Sequence, residues 1–272
     1  MYADMQSYYA LGFEQQRLQQ GVNQLEQART QALIERYGPP PPAVVYDVGG
    51  GSGVYATWLA RQGYTVHLLD AMPLHVEQAR QASAAQPDQA LAGATVGDAR
   101  HLEWPDQSAD LVLLLGPLYH LTEADDRGRA LGEAARVLRP GGVVLAAVIS
   151  RFAPMLEALF GDRLDQPEFM QIAYQDLIDG QHRNPTDNPG YFTATYFHRP
   201  EEVQTEFTAA GLRHTATLAI EGPGWLPQRE RFDQEWANPE RRTQLLAVVQ
   251  ALEAEPNLLG MSPHLMGVGV KD

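Results

Sequence analysis

Val44-Val45-Tyr46-Asp47-Val48-Gly49-Gly50-Gly51-Ser52-Gly53 is the stretch whose reading decides the fold. An apolar run carries an acid near its end, a glycine-rich turn follows, and Val54 to Arg61 (Val-Tyr-Ala-Thr-Trp-Leu-Ala-Arg) has helical character. Strand, tight loop and helix N-terminus together open a nucleotide-binding α/β unit. Glycine is required where the turn needs positive φ and where a ligand must come close to the backbone. Glycines at 49, 51 and 53 make a G-x-G-x-G pattern, because position 54 is Val. That is not the G-x-G-x-x-G of dinucleotide binders. Asp47 would repel a pyrophosphate and suits a ligand that carries an ammonium group.

Two more acids follow at the ends of short apolar runs. Tyr64-Thr65-Val66-His67-Leu68-Leu69-Asp70 places Asp70 about twenty residues after the first glycine, the position of a ribose-binding carboxylate. Thr95-Val96-Gly97-Asp98-Ala99-Arg100 supplies Asp98. With the glycine turn, these acids and the later Leu138-Arg139-Pro140-Gly141-Gly142 turn, the chain resembles the class I S-adenosylmethionine-dependent methyltransferases over about residues 43–150. The resemblance implies a Rossmann-like, doubly wound α/β sheet of seven strands whose last strand is antiparallel. It also implies S-adenosylmethionine as cofactor and S-adenosylhomocysteine as product. Asp47 would lie near the methionine part, and the backbone of Gly49, Gly51 and Gly53 would approach the cofactor. Asp70 would accept both ribose hydroxyls, with Ala71 and Met72 lining the adenine pocket, Asp98 and Ala99 meeting adenine, and Leu115 or Gly116 offering a carbonyl to the methionine amino group.

Composition narrows the partners. A formal charge of -14 and the absence of any Lys/Arg run argue against a nucleic-acid substrate, whose backbone is held by many basic contacts. There is no cysteine, which rules out disulfides, zinc-thiolate sites and a cysteine nucleophile. The first twenty residues hold Asp4, Glu14 and Arg17 without an apolar core, and no apolar stretch reaches membrane-spanning length, so a cytoplasmic protein is expected. No metal-ligand cluster of recognised spacing occurs, and none is expected to bind. Oligomeric state is not readable.

Residues 1–42 read as an amphipathic helical cap, closed by Gly38 and Pro39-Pro40-Pro41-Pro42. In related small-molecule methyltransferases such a segment folds over the cofactor, which makes Tyr8 and Tyr9 candidates to close the site; packing is the alternative. Arg29 is a candidate for the methionine carboxylate, or a solvated helix residue. Residues 43–150 are the cofactor-binding core. Its fourth strand, Ala109 to Gly116, is apolar after Asp110, as a strand covered on both faces should be. It leads into Gly116-Pro117-Leu118-Tyr119-His120, a loop that lacks the polar residue by which base and amide methyltransferases orient a planar amine. Thr122 is expected to cap the next helix and Pro140-Gly141-Gly142 to end it. Residues 151–199 break the strand–helix alternation and read as a lid insertion after the fifth strand, and 200–272 return to the core.

Methyl transfer from a sulfonium is an in-line displacement in which the protein supplies alignment and, where needed, a base. His120 and His182 are the base candidates, with Tyr9 as an aromatic partner of the sulfonium. Aromatic residues in the expected lid suggest a small aromatic or apolar metabolite, methylated at N, O or C. Three readings compete: a nonenzymatic cofactor-binding subunit, a nicotinamide-dependent oxidoreductase, which the glycine spacing disfavours, and a protein methyltransferase.

Overall fold

A computed structural model describes residues 17–186, 188–226 and 229–272. In chain order the helices and strands are α1 (Asn23–Tyr37), β1 (Val44–Val48), α2 (Val54–Arg61), β2 (Thr65–Asp70), α3 (Pro73–Ala84), β3 (Gly93–Val96), β4 (Ala109–Leu114), α4 (Pro117–His120), α5 (Ala124–Val137) and β5 (Leu138–Ser150). They continue with α6 (Ala153–Phe160), α7 (Pro167–Asp179), β6 (Gln181–His182), β7 (Thr195–His198), α8 (Pro200–Ala209), β8 (Arg213–Ala219), α9 (Arg229–Ala237), α10 (Pro239–Leu252) and β9 (His264–Val270). The fold is a Rossmann-like α/β sheet, mostly parallel with an antiparallel end. Among the described residues no helix is long and apolar enough to cross a membrane.

The chain divides into two compact units. One comprises 33–147, 203–216 and 267–272. Here β1 runs parallel to β2 (Val45 opposite Val66) and to β4 (Asp47 opposite Leu113), β2 to β3 (Asp70 opposite Val96), and β4 to β5 (Leu113 opposite Leu145). Val45, Val48, Val66, Leu68, Leu111 to Leu114, and Val144 to Ala146 are buried, which is why these strands read as mainly apolar runs. Strand β9 adds antiparallel: Gly141 donates to the Lys271 carbonyl and Lys271 to that of Gly142. Gly267 and Gly269 on β9 make room for the Phe207 ring, which would lie 2.6–2.9 Å from a Cβ at either position.

The other unit comprises residues up to 32, 148–202 and 217–266. Helices α6 and α7 close on Ala158, Phe169, Ile172, Ala173 and Tyr191, and a second cluster gathers Leu25, Phe232 and Val249. Strand β7 lies parallel to the end of β5 (Ile149 opposite Phe197) and antiparallel to β6 (His182 opposite Thr195).

Several expectations shift. The segment read as a lid contributes β6 and β7, so nine strands occur among the described residues where the resemblance implies seven. The stretch 200–272 is shared between the two units, and 217–266 groups with 148–202. The N-cap position of α5 is Glu123, one residue beyond Thr122, and its side chain makes no capping bond. Its end is Val137, and Leu138 is already extended and opposite Ala109, so Pro140-Gly141-Gly142 sits inside β5. Strand pairing claims these residues before the proline and glycines can act as a helix stop.

Candidate functional site

The site is built at the carboxyl ends of β1, β2 and β4, all within one unit. The turn after β1 is pinned by Gly49 N–H to the Leu69 carbonyl (2.7 Å), Gly50 N–H to the same oxygen (3.2 Å) and Gly53 N–H to that of Gly50 (3.0 Å). Gly49, Gly51 and Gly53 have φ of 73°, 55° and 85°, in the left-handed region that disfavours a side chain. They differ in surroundings. A Cβ on Gly49 would lie 2.6 Å from Pro117, so this glycine is fixed by protein packing. A Cβ on Gly51 would meet nothing within 4 Å, so the crest of the turn faces open space that a ligand can enter.

Asp70 ends β2 and is buried. Its Oδ2 accepts from Gly51 N–H (2.9 Å), and its Oδ1 accepts from Met72 N–H (2.8 Å) and contacts His75 Nδ1 (3.1 Å). One carboxylate thereby ties the glycine turn to the start of α3. Ala71 is half-buried and Met72 buried behind it.

Asp47 is the electrostatic anomaly. It has no solvent exposure, and neither carboxylate oxygen has a hydrogen-bond partner. Burial, then the negative charge of Asp70, push its pKa up from 3.8 to about 7, with the Ala56 amide pulling back slightly. A buried carboxyl without a partner is costly in either protonation state, and a cationic ligand group would relieve that cost.

Beyond β4, Leu115 and Gly116 are half-buried, and the Leu115 carbonyl accepts from Tyr119 Oη (3.1 Å). His120 ends α4 with its ring 4.8 Å from that of Tyr119. Burial lowers its pKa to about 4, Asp70 opposing and His75 assisting, so at neutral pH the ring is uncharged.

Other candidates are placed differently. Asp98 lies beyond β3, and its carboxylate holds the Arg100 backbone N–H (2.9 Å) and guanidinium (2.5 Å); Arg100 continues to Asp126 (2.7 Å). Asp98 is thus engaged in shaping its own loop, with Ala99 buried beside it. Arg29 belongs to the other unit, is 1% exposed, and bonds Glu253 and the Ile220 carbonyl (3.2 Å). Its guanidinium holds α1 to the 220 and 253 segments, which corrects the ligand reading. His182, in that same unit, contacts Asp176 through Nδ1 (2.8 Å) and the Tyr191 carbonyl through Nε2 (2.7 Å). Both nitrogens are used to tie the 181–191 loop to α7, which corrects the base reading. Tyr8 and Tyr9 lie outside the described residues.

Glu26, Glu221 and His264 bring one metal-ligating atom each within 4.8 Å of one another. Cations already occupy this cluster. Arg17 grips Glu26 with both guanidinium nitrogens (2.6 and 2.9 Å). Burial works against a charge on His264, but Glu221 and Glu26 outweigh it and raise its pKa to about 9, which removes its lone pair at neutral pH.

The elements at the strand ends fit the group that the resemblance implies. An open glycine crest, a carboxylate set for a diol and an unpartnered buried carboxyl suit a ligand with a ribose and a cationic amino-acid end. Residues 46–146 match the family model for a methyltransferase domain. The methyltransferase GfsG of Streptomyces halstedii is 34% identical over 166 residues, covering 55% of this chain and 59% of that protein. A ubiquinone/menaquinone biosynthesis C-methyltransferase UbiE of Caulobacter is 32% identical over 178 residues, covering 57% and 66%. The chain therefore spans about three-fifths of the length of these curated relatives. An S-adenosylmethionine-dependent methyltransferase structure from Mesorhizobium loti superposes with a TM-score of 0.58 at 17% identity, covering 90% of this chain and 99% of that one, a likeness of fold alone.

Proposed function

We propose that the chain, whose residues 46–146 match the family model for a methyltransferase domain, is a class I S-adenosylmethionine-dependent methyltransferase that methylates an N, O or C nucleophile of a small aromatic or apolar metabolite by in-line displacement. The observation that carries this reading is Asp47, fully buried, without a hydrogen-bond partner, beside a glycine crest open to a ligand. When bound, the cofactor supplies a methyl group activated on a sulfonium. Asp47 would face its cationic amino-acid end, the Gly49–Gly53 backbone would allow close approach, and Asp70 would receive the ribose diol. Ala71, Met72, Asp98 and Ala99 would border the adenine, and Leu115 or Gly116 would offer a carbonyl to the amino group.

His120 is the proton acceptor in this reading. A base of pKa about 4 is too weak to ionise an alcohol in advance. It suffices for a hydroxyl or arylamine whose acidity rises as the new bond to carbon forms. This favours O-methylation or arylamine methylation over a reaction that needs an early carbanion.

The test is calorimetric titration with S-adenosylmethionine and S-adenosylhomocysteine, with NADH as control. Micromolar binding of the first two, none of NADH, and a loss of about 1.5–3 kcal/mol in Asp70→Ala are expected. Binding without product across a panel of phenols and arylamines would favour a cofactor-binding subunit. No binding by a folded protein would end the methyltransferase reading.

A further inference from the structure

We propose that His75 is a positioning residue for cofactor binding: its imidazole fixes the plane of the Asp70 carboxylate, so that the one acceptor direction left on Oδ2 is presented to a vicinal diol. The inference rests on the cofactor reading above and assigns a role to a side chain that lies on no glycine turn or strand end.

The argument starts from how many donors Asp70 already has. A carboxylate offers about four lone-pair directions. Met72 N–H and His75 share Oδ1, and Gly51 N–H takes Oδ2. Three directions are used by protein, and what is left faces a ligand only if the plane is held. The terminal torsion of an Asp side chain is soft. Two backbone donors, one on each oxygen, leave the carboxylate free to tilt about the line between them. The third donor approaches from the first turn of α3 and removes that tilt.

The placement of His75 suits this role. It is the third residue of α3, where Pro73 presets the helix start, and it is 5% exposed. Its side chain and that of Asp70 are 7% and 9% exposed, so their contact is shielded from water and strengthened accordingly. Because a carboxylate only accepts, the proton of this bond sits on Nδ1. A plain packing residue at this position would be apolar, as Val76 and Ala79 on the same helix are.

The experiment compares two ligands on three proteins: S-adenosylhomocysteine and its 2′,3′-dideoxy analogue, titrated calorimetrically into wild type, His75→Leu and His75→Asn. Leucine fills the space without a donor, whereas the asparagine amide places a donor near the position of Nδ1. His75→Leu should weaken S-adenosylhomocysteine about tenfold, the value of one charge-assisted bond, and His75→Asn should recover most of it. The dideoxy analogue, which has no diol to receive, should bind all three proteins within about twofold of one another. Equal losses on both ligands, an unchanged or tighter His75→Leu, or no recovery in His75→Asn would each overturn the proposal. If His75→Leu melts below the assay temperature, His75→Gln replaces it, since its longer arm misplaces the donor while keeping polarity. Wild-type protein that binds neither ligand overturns the cofactor reading as well, whereas tight wild-type binding with indifferent variants overturns this inference alone.

Discussion

Two groups of buried charges in this molecule are built on opposite principles. In the unit that holds most of α1 and the start of β9, Glu26 faces Arg17, Glu221 faces His264 at 2.6 Å, and Glu253 faces Arg29. Burial alone would raise Glu26, yet Arg17 and His264 outweigh it and hold the carboxyl below its ordinary range. Each of these three carboxylates has its cation. In the unit that holds the glycine turn, Asp47 is as deeply buried and has none. Folding compensates charges that serve structure, because an unpaired one costs several kcal/mol. A charge left uncompensated marks where a ligand completes the electrostatics.

The contrast breaks most visibly at Glu221. Glu221→Gln removes the partner of a protonated His264 and should destabilise the protein by about 2–3 kcal/mol in urea unfolding. That lies below the roughly 3–5 kcal/mol of a fully buried pair, because the His264 side chain keeps 21% of its exposure. The wild type should show a related loss with pH. Folded His264 has its pKa raised to about 9 from 6.5, so its contribution is fully present below about pH 6.5 and lost as pH rises through about 9. Thermal melts of Glu221→Gln should lack that alkaline decline. A parallel decline in both proteins would show that the cluster is not its source.

Asp47→Asn should move stability the other way. The folded pKa of about 7 lies above the ordinary 3.8, so the native state holds the proton more tightly than the unfolded chain. The cost of the charge is absent at pH well below 4, grows between about 4 and 7, and is complete above. Three pKa units amount to about 4 kcal/mol as an upper figure, against which the unpartnered amide of Asn costs about 1–3 kcal/mol. A net gain of about 1–2 kcal/mol at pH 8, with little or none at pH 5, is the expected melt result. A variant less stable than wild type at pH 8 would show that Asp47 is compensated within the protein after all.

What the sequence disclosed follows the same division. The glycine turn, Asp47 and Asp70 were legible because a strand, a turn and an acid within a few residues encode them locally. The pairing of Glu221 with His264, 43 residues apart, and of Arg29 with Glu253, 224 apart, is created only by the fold. No local pattern announces it, and Arg29 was accordingly read as a candidate ligand residue or a solvated helix residue. Asp98 looked equivalent to Asp70 until the loop after β3 turned Arg100 onto it. His182 looked available until α7 supplied Asp176. Nothing in the spacing around His75 marks its bond to an acid five positions earlier. Strands β6 and β7 were read as part of a lid, being two and four residues long. Such lengths carry almost no periodicity, and it is pairing that makes them strands.

The finest test of the comparison is the pH dependence of binding itself. If Asp47 awaits a cation, a ligand with an ammonium and a sulfonium binds the ionised form, and binding expels the proton that Asp47 holds near neutrality. Affinity for S-adenosylmethionine should then rise roughly tenfold from about pH 6 to about pH 8 and level off above, as a single group of pKa about 7 dictates. His120, with its pKa near 4, is uncharged throughout this range and adds nothing to the slope. Calorimetry in two buffers of different ionisation enthalpy should count close to half a proton released at pH 7. Asp47→Asn should bind more weakly, with no slope and no released proton. A slope that survives in Asp47→Asn would assign the titration to another group and leave the unpaired carboxylate without a role in binding.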